Sequence, residues 1–90
     1  MLVAMDREEL RQAIIDALTG VAPEIDPERL DPDVNFRDQA ELDSVDYLNF
    51  VLALEKAVGT RIPEQDYPRL SCLSGSLSYL RTRAAAPAKD

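Results

Sequence analysis

The chain has no histidine and no tryptophan, and its only cysteine is Cys72. One thiol cannot form an internal disulfide, which fits a reducing compartment and leaves the role of this cysteine open. Because histidine is absent and cysteine is nearly so, the soft ligands of a zinc site are missing. There is also no paired-cysteine motif and no glycine-rich phosphate loop, so we expect a protein that is not an enzyme and holds no metal.

Long apolar runs are missing as well. The apolar opening at residues 1–5 is too short for a signal peptide or a membrane span, and acidic residues follow it directly. Basic residues are few, since 17 acidic side chains against 10 basic ones give a net charge of −7. We therefore expect a cytoplasmic protein that does not insert into membranes, does not bind nucleic acid, and attracts basic partners.

The chain has an ordinary apolar content of 46% over 90 residues, enough for one domain with a modest core. We predict a single domain over residues 1–90, with a core over about residues 6–82, a flexible tail over 84–90 and a monomeric state. No alternating strand pattern is present, and apolar residues recur at helical spacing instead, which predicts an all-α fold.

Three full helices, one short helix and a long first loop are predicted. The first helix runs from Asp6 to Gly20, begins with a capping pair formed by Asp6 and Glu9, and stops at the glycine. Residues 21–43 contain three prolines and spaced apolar residues, so we expect a loop held against the bundle, with one helical turn at Asp26–Leu30.

The second half of the chain contains the other predicted helices. The second helix runs from Val45 to Val58 and is closed by Gly59. A short helix fits between two prolines, at 63 and 68, and a last helix runs over about 72–83 with Ser71 as its cap.

The second predicted helix has two apolar faces. On a helical wheel, one face has the spacing of a core: Tyr47, Phe50, Val51, Leu54 and Val58. The other face is a stripe of three apolar residues with polar neighbours, which resembles a docking surface: Val45, Leu48 and Leu52. The alternative is that the long loop covers this stripe, and complete burial of Leu48 and Leu52 would exclude docking.

Asp43 and Ser44 begin this helix. Asp43 is a good N-cap, and its spacing to Asp46 is that of a capping box, so the pair is explained by helix capping alone. A serine at this position is also suited to carry a phosphate-linked group, because terminal N–H groups and the helix dipole favour negative charge there.

Residues 36–63 resemble the phosphopantetheine-attachment region of acyl carrier proteins. The family pattern is a phenylalanine eight residues before the serine of Asp-Ser-Leu, a helix ending in a large apolar residue, and then Ile-Pro. The matching residues here are Phe36, Asp43, Ser44, Val45, Val58, Ile62 and Pro63. With the flanking helices, the resemblance covers roughly residues 6–82.

The resemblance implies a four-helix bundle of acyl-carrier type with a long first loop and a short third helix. It implies that Ser44, with Asp43 as the adjacent motif residue, carries 4′-phosphopantetheine as a phosphodiester, which a phosphopantetheinyl transferase adds from coenzyme A. Its thiol then holds an acyl group for acyl-transferring or condensing enzymes of fatty-acid, polyketide or related lipid synthesis. The implied docking residues are Val45, Asp46, Leu48, Asn49, Leu52, Glu55 and Lys56. By analogy, the implied walls of an acyl pocket are Phe36, Phe50, Leu54 and Ile62.

The chain departs from the family pattern at three places. Val45 replaces leucine, residues 39–42 lack the usual Asp-Leu-Gly, and Asn49 and Lys56 stand where housekeeping carriers usually have acids. These differences suggest a specialised carrier with dedicated partners. The alternatives are an aminoacyl or peptidyl carrier and an unmodified helical protein-interaction module.

Overall fold

The computed structural model describes the backbone of residues 5–85, and all regular elements within them are helical. The elements are α1 (Arg7–Val21), a first 3₁₀ helix (Pro27–Arg29), α2 (Phe36–Gln39), α3 (Ser44–Val58), a second 3₁₀ helix (Glu64–Leu70) and α4 (Leu73–Ala85). The predicted all-α fold, with a long first loop and a short third helix, is confirmed. Within the described range, none of these helices is both long and apolar enough to cross a membrane.

Helix α1 begins as predicted and ends one residue later. The Glu9 N–H donates to Asp6 Oδ1 at 2.8 Å, and Glu9 Oε1 accepts from the Asp6 N–H at 3.0 Å, which completes a capping box. Gly20, the predicted stop, lies inside the helix. The Ala22 N–H still bonds to the Leu18 carbonyl at 2.9 Å, and Pro23 then prevents further helical bonding.

The core lies where α1 packs against α3 and α4. The inner face of α3 supplies its centre, because Phe50, Val51, Leu54 and Val58 are fully buried. The Phe36 and Phe50 rings meet edge to face, with centroids 5.3 Å apart, which joins the start of α2 to the middle of α3. Gly59 ends α3 in a left-handed conformation (φ 73°), a position that a glycine occupies without steric cost.

The long loop contains more structure than the sequence predicted. Its helical turn is confirmed at Pro27–Arg29, where the Asp26 carboxylate caps the Glu28 N–H at 3.0 Å. Helix α2 was not predicted, since four residues are too few for a periodic pattern. Gln39 orders the loop, because its amide donates to the carbonyls of Asp31 and Val34 at 2.7 and 2.8 Å and its Oε1 accepts from the Asp31 N–H.

The beginning of α4 differs from the prediction. Ser71 is not the cap, because α4 starts at Leu73 and the Gly75 N–H lies 3.4 Å from the sulfur of Cys72. Cys72 therefore takes the capping position, which gives the single cysteine a structural role.

Two boundaries also extend beyond their predicted limits. The second 3₁₀ helix continues through Pro68 to Leu70, since a missing N–H removes only one bond from so short a helix. Helix α4 reaches Ala85, so residues 84 and 85 are helical, whereas the rest of the predicted tail, residues 86–90, lies outside the described residues.

Candidate functional site

Ser44 is the first residue of α3 and is exposed. Asp43 precedes it as the N-cap in an extended conformation (φ −89°, ψ −177°), and its Oδ1 accepts from the Asp46 N–H at 2.8 Å. In return, Asp46 Oδ2 accepts from the Asp43 N–H over a longer 3.4 Å. The predicted capping box is therefore present, and it directs both carboxylates to the backbone while the serine hydroxyl faces solvent.

Two backbone donors remain open beside that hydroxyl. Within the described residues, the N–H groups of Ser44 and Val45 have no hydrogen-bond acceptor, as expected for the first turn of a helix. An anionic group bonded to the serine oxygen would meet these donors and the positive end of the helix dipole. Exposure, an open hydroxyl and free donors therefore fit a phosphodiester at this position.

The second apolar stripe of α3 stays on the surface. The exposed fractions of its side chains are 64% for Val45, 43% for Leu48 and 48% for Leu52. These are the large apolar side chains most exposed in the described part of the chain, and they lie along one face that starts beside Ser44. The long loop does not cover them, so the condition that would have excluded docking is not met.

The polar residues beside the stripe differ in how freely they could contact a partner. Asn49 and Lys56 are exposed, and Asp46 is half-buried by its capping role. Glu55 is half-buried too, and one carboxylate oxygen accepts from the Ile62 N–H at 2.6 Å. The hydrogen bond leaves the charge of Glu55 in place, but Lys56 next to it in sequence offsets that charge, so this face has little net negative charge beyond the start of α3.

The four predicted walls of an acyl pocket lie inside the core. Phe36, Phe50 and Leu54 are completely buried, and Ile62 is 2% exposed. They surround the inner side of α3, and the two phenylalanine rings are in contact. An acyl chain would have to separate side chains that are packed together here, so the pocket stays a prediction.

Arg37 and Gln39 position the segment that leads into Ser44, and sequence reasoning did not identify either. The Arg37 guanidinium Nε donates to the Leu42 carbonyl at 3.3 Å, directly before the cap of α3. Gln39 holds the preceding loop by three hydrogen bonds. Gln39 lies in the stretch that departs from the family pattern, and Arg37 lies just before it, where no periodic pattern marks either residue.

Tyr47, on the inner face of α3, links this helix to the second 3₁₀ helix. The Tyr47 hydroxyl donates to the Tyr67 carbonyl at 2.6 Å, which ties α3 to the second 3₁₀ helix. Burial, followed by the nearby Tyr67, raises the pKa of Tyr47 above its usual value. The hydroxyl is therefore a neutral structural donor, with no sign of a role as an acid or base at neutral pH.

Comparisons with known proteins agree with this geometry. Residues 9–77 match the family model described as a phosphopantetheine attachment site. An acyl carrier protein of Rubrobacter xylanophilus is 30% identical over 76 residues, which covers 84% of this chain and 93% of that protein. One of Thermosynechococcus vestitus is 27% identical, covering 88% and 91%. A "Polyketide-8 synthase acyl carrier protein 2" of Streptomyces avermitilis is 28% identical, covering 89% and 86%.

Proposed function

The chain belongs to the acyl carrier protein family, which bears covalently attached 4′-phosphopantetheine, and we propose that Ser44 is its attachment point. The observation that carries the proposal is an exposed serine hydroxyl beside two open N–H groups at the start of α3. The group supplies a terminal thiol that holds an acyl unit as a thioester. As a carrier, the chain needs positioning and presentation from its own residues rather than catalysis.

Attachment uses Ser44 as the nucleophile. Its Oγ forms a bond to the phosphorus of coenzyme A nearest the pantetheine, the pyrophosphate P–O bond breaks, and adenosine 3′,5′-bisphosphate leaves while the serine proton is released. The carboxylates of Asp43 and Asp46 are engaged in the capping box, so neither is placed as a free base. We propose that the transferase supplies the base, and that this chain supplies a rigid, accessible hydroxyl.

The two neighbouring carboxylates also influence where the attached group points. A phosphodiester at Ser44 is stabilised by the positive end of the helix dipole, but it is repelled by the carboxylates of Asp43 and Asp46, which are near it in sequence. The net charge of −7 adds to this repulsion at longer range. The balance favours an arm that extends into solvent, where partner enzymes can reach the thioester.

The exposed stripe is proposed as the docking surface for those enzymes. Val45, Leu48 and Leu52 offer apolar contacts next to the attachment point, and the acids at the start of α3 attract basic partner surfaces. The polar positions proposed to flank the contact are Asp46, Asn49, Glu55 and Lys56. The partners are a phosphopantetheinyl transferase and acyl-transferring or condensing enzymes, in the cytoplasm and with this chain as a monomer.

A specialised role is the finer proposal within the same function. Lys56 offsets the charge of Glu55 on the docking face and Asn49 is neutral, whereas Asp43 and Asp46 lie at its start, so the far end of this face is less acidic than its start. We propose partners matched to this uneven charge. Efficient replacement of the general carrier in a reconstituted fatty-acid synthase would contradict specialisation, and loading assays with acyl and aminoacyl donors separate an acyl carrier from an aminoacyl one.

Intact-mass analysis after incubation with coenzyme A and a phosphopantetheinyl transferase tests the attachment site. We expect one phosphopantetheine-sized increment on the native chain and none on Ser44→Ala. Ser78→Ala is the matched control, because this exposed serine lies on α4 away from the motif and should leave the increment unchanged. An increment that persists in Ser44→Ala would place the group elsewhere, and no increment with several transferases would favour an unmodified interaction module.

A further inference from the structure

A groove of about 850 Å³ lies between α1, α4 and the long loop, and no residue of α3 lines it. Its volume falls within the range of small-molecule sites, roughly 300–1,000 Å³. Its apolar walls are Leu30 and Pro32 from the long loop and Leu73 and Leu77 from α4, and the hydroxyl residues Ser74, Ser78 and Thr82 of α4 also line it. None of the residues proposed for attachment, docking or the acyl pocket lines it.

Three arginines surround this groove: Arg7, Arg11 and Arg81. Arg7 and Arg11 are one turn apart on α1, and Arg81 is one turn from the groove residue Leu77 on α4, so α1 supplies two of the arginines and α4 supplies one. A chain with only 10 basic residues and a net charge of −7 thus places three of its cations around one groove that is partly apolar.

These cations are poorly neutralised by the protein itself. Arg11 approaches Glu8 at 3.7 Å, but that pair is exposed and therefore weak. Within the described residues, Arg7 and Arg81 have no carboxylate within 4.0 Å. Arg83 on the same helix is different, because it bonds to the Arg61 carbonyl at 2.9 Å and stacks on Tyr79. Arg7 also stands at the first position of α1, where the helix dipole disfavours a cation.

We propose that this groove binds a small amphiphilic carboxylate, with the carboxylate at the arginines and the alkyl chain against Leu30, Leu73 and Leu77. Guanidinium groups bind carboxylates by paired, charge-assisted hydrogen bonds, and the leucines remove an alkyl chain from water. An anionic membrane surface fits less well, because the groove is concave and the net charge of the chain repels such surfaces. The proposal does not depend on modification of Ser44.

An NMR titration of the ¹⁵N-labelled chain with octanoate at neutral pH tests this site. We expect saturable shifts of the amides of α1 and α4 around the groove, equal in the native chain and in Ser44→Ala. Butyrate should bind at least about tenfold more weakly because it lacks four methylene groups, and octylammonium should produce no saturable shift there. Octanoate shifts that do not saturate would overturn the proposal.

Arginine variants separate this site from general binding to apolar surface. The double variant Arg7→Gln/Arg81→Gln should weaken octanoate binding at least about tenfold, whereas Arg61→Gln, at an exposed arginine outside the groove, should not change it. Both are surface changes, and an unchanged melting curve checks that the fold is intact. Equal affinity in the double variant, or shifts centred on Phe36 and Phe50 instead, would show that octanoate binds elsewhere.

Discussion

Both faces of α3 carry leucine and valine, but one face is buried and the other is exposed. On the inner face, Phe50 and Leu54 are completely buried, whereas on the outer face Leu48 and Leu52 are 43% and 48% exposed. Helix propensity does not distinguish the two faces, since both contain leucines in the same helix. The difference shows that burial depends on which face of α3 packs against the rest of the bundle, and not on the residue type. The exposed leucines remain available for contacts with another molecule.

The largest expected effect comes from truncating one leucine on each face of α3. Leu54→Ala should lower the free energy of unfolding by about 2–5 kcal/mol, because it leaves a cavity in the core. Leu52→Ala should change it by less than about 0.5 kcal/mol, since that side chain is half in water already. Urea denaturation of both variants measures the contrast, and comparable losses would remove the distinction between the faces.

A charge on the outer face should affect partners and spare the fold. Leu48→Asp should lower the rate of phosphopantetheine transfer at limiting carrier concentration by about tenfold, because an apolar docking contact is replaced by a hydrated carboxylate. Ala53→Asp adds the same charge at another exposed position of α3 and should change the rate much less. Equal rates for the two variants would argue against docking through this stripe.

The capping box at the start of α3 should contribute a smaller amount to the free energy of unfolding. Asp43→Ala should destabilise the chain by about 1 kcal/mol, since its carboxylate satisfies the Asp46 N–H at 2.8 Å. Asp46→Ala should cost less, because its return bond is long at 3.4 Å. Thermal melts at neutral pH rank the two, and a larger loss for Asp46→Ala would reverse the assignment of the principal cap.

The weakest of the four expected effects concerns Tyr47, which lies at the edge of the inner face. Tyr47→Phe removes the hydrogen bond from its hydroxyl to the Tyr67 carbonyl and should cost about 1 kcal/mol or less at neutral pH. The matched variant Tyr67→Phe retains that bond, because Tyr67 supplies only its backbone carbonyl. Chemical denaturation at pH 7 compares the two, and an equal or greater loss for Tyr67→Phe would contradict the role of this bond.

The same tyrosine gives the stability a pH dependence of defined sign. Because folding raises the pKa of Tyr47, its contribution is complete below the unfolded value, about 10, and is lost as the pH rises above it. Tyr79 acts in the same direction, since burial and its hydrogen bond to Asp66 raise its pKa to about 12. As the pH rises above 10, Tyr47→Phe should therefore lose less stability than the native chain. The loss that comes from ionisation of Tyr79 should remain in this variant.

Local patterns in the sequence were sufficient for most helices. Asp6 with Glu9, and Gly59, announced helix ends correctly because caps use side-chain and backbone chemistry within a few residues. The prediction failed where an end is decided from further away. Gly20 does not stop α1, and α2 exists because Phe36 inserts into the core and its N–H bonds to the Ser71 carbonyl at 2.7 Å, a contact across 35 positions of the chain.

In the candidate site, too, local features could be predicted from the sequence and long-range contacts could not. Sequence reasoning selected Ser44 and the outer stripe, because helical spacing and a motif are both local in the chain. It did not identify Arg37 as the residue that holds the Leu42 carbonyl, nor the engagement of Glu55 by Ile62. Each of these depends on where a loop returns, which no short-range pattern encodes.

The sequence by itself determined an acidic, all-helical chain, a serine at a helix start and a spare apolar stripe, because composition and period are properties of the linear chain. Only the tertiary structure decided that the long loop leaves the outer stripe of α3 exposed, that the Glu55 carboxylate accepts a backbone N–H, and that three arginines surround one groove. The physical reason is that burial and charge neutralisation arise between elements distant in sequence, after the chain has packed.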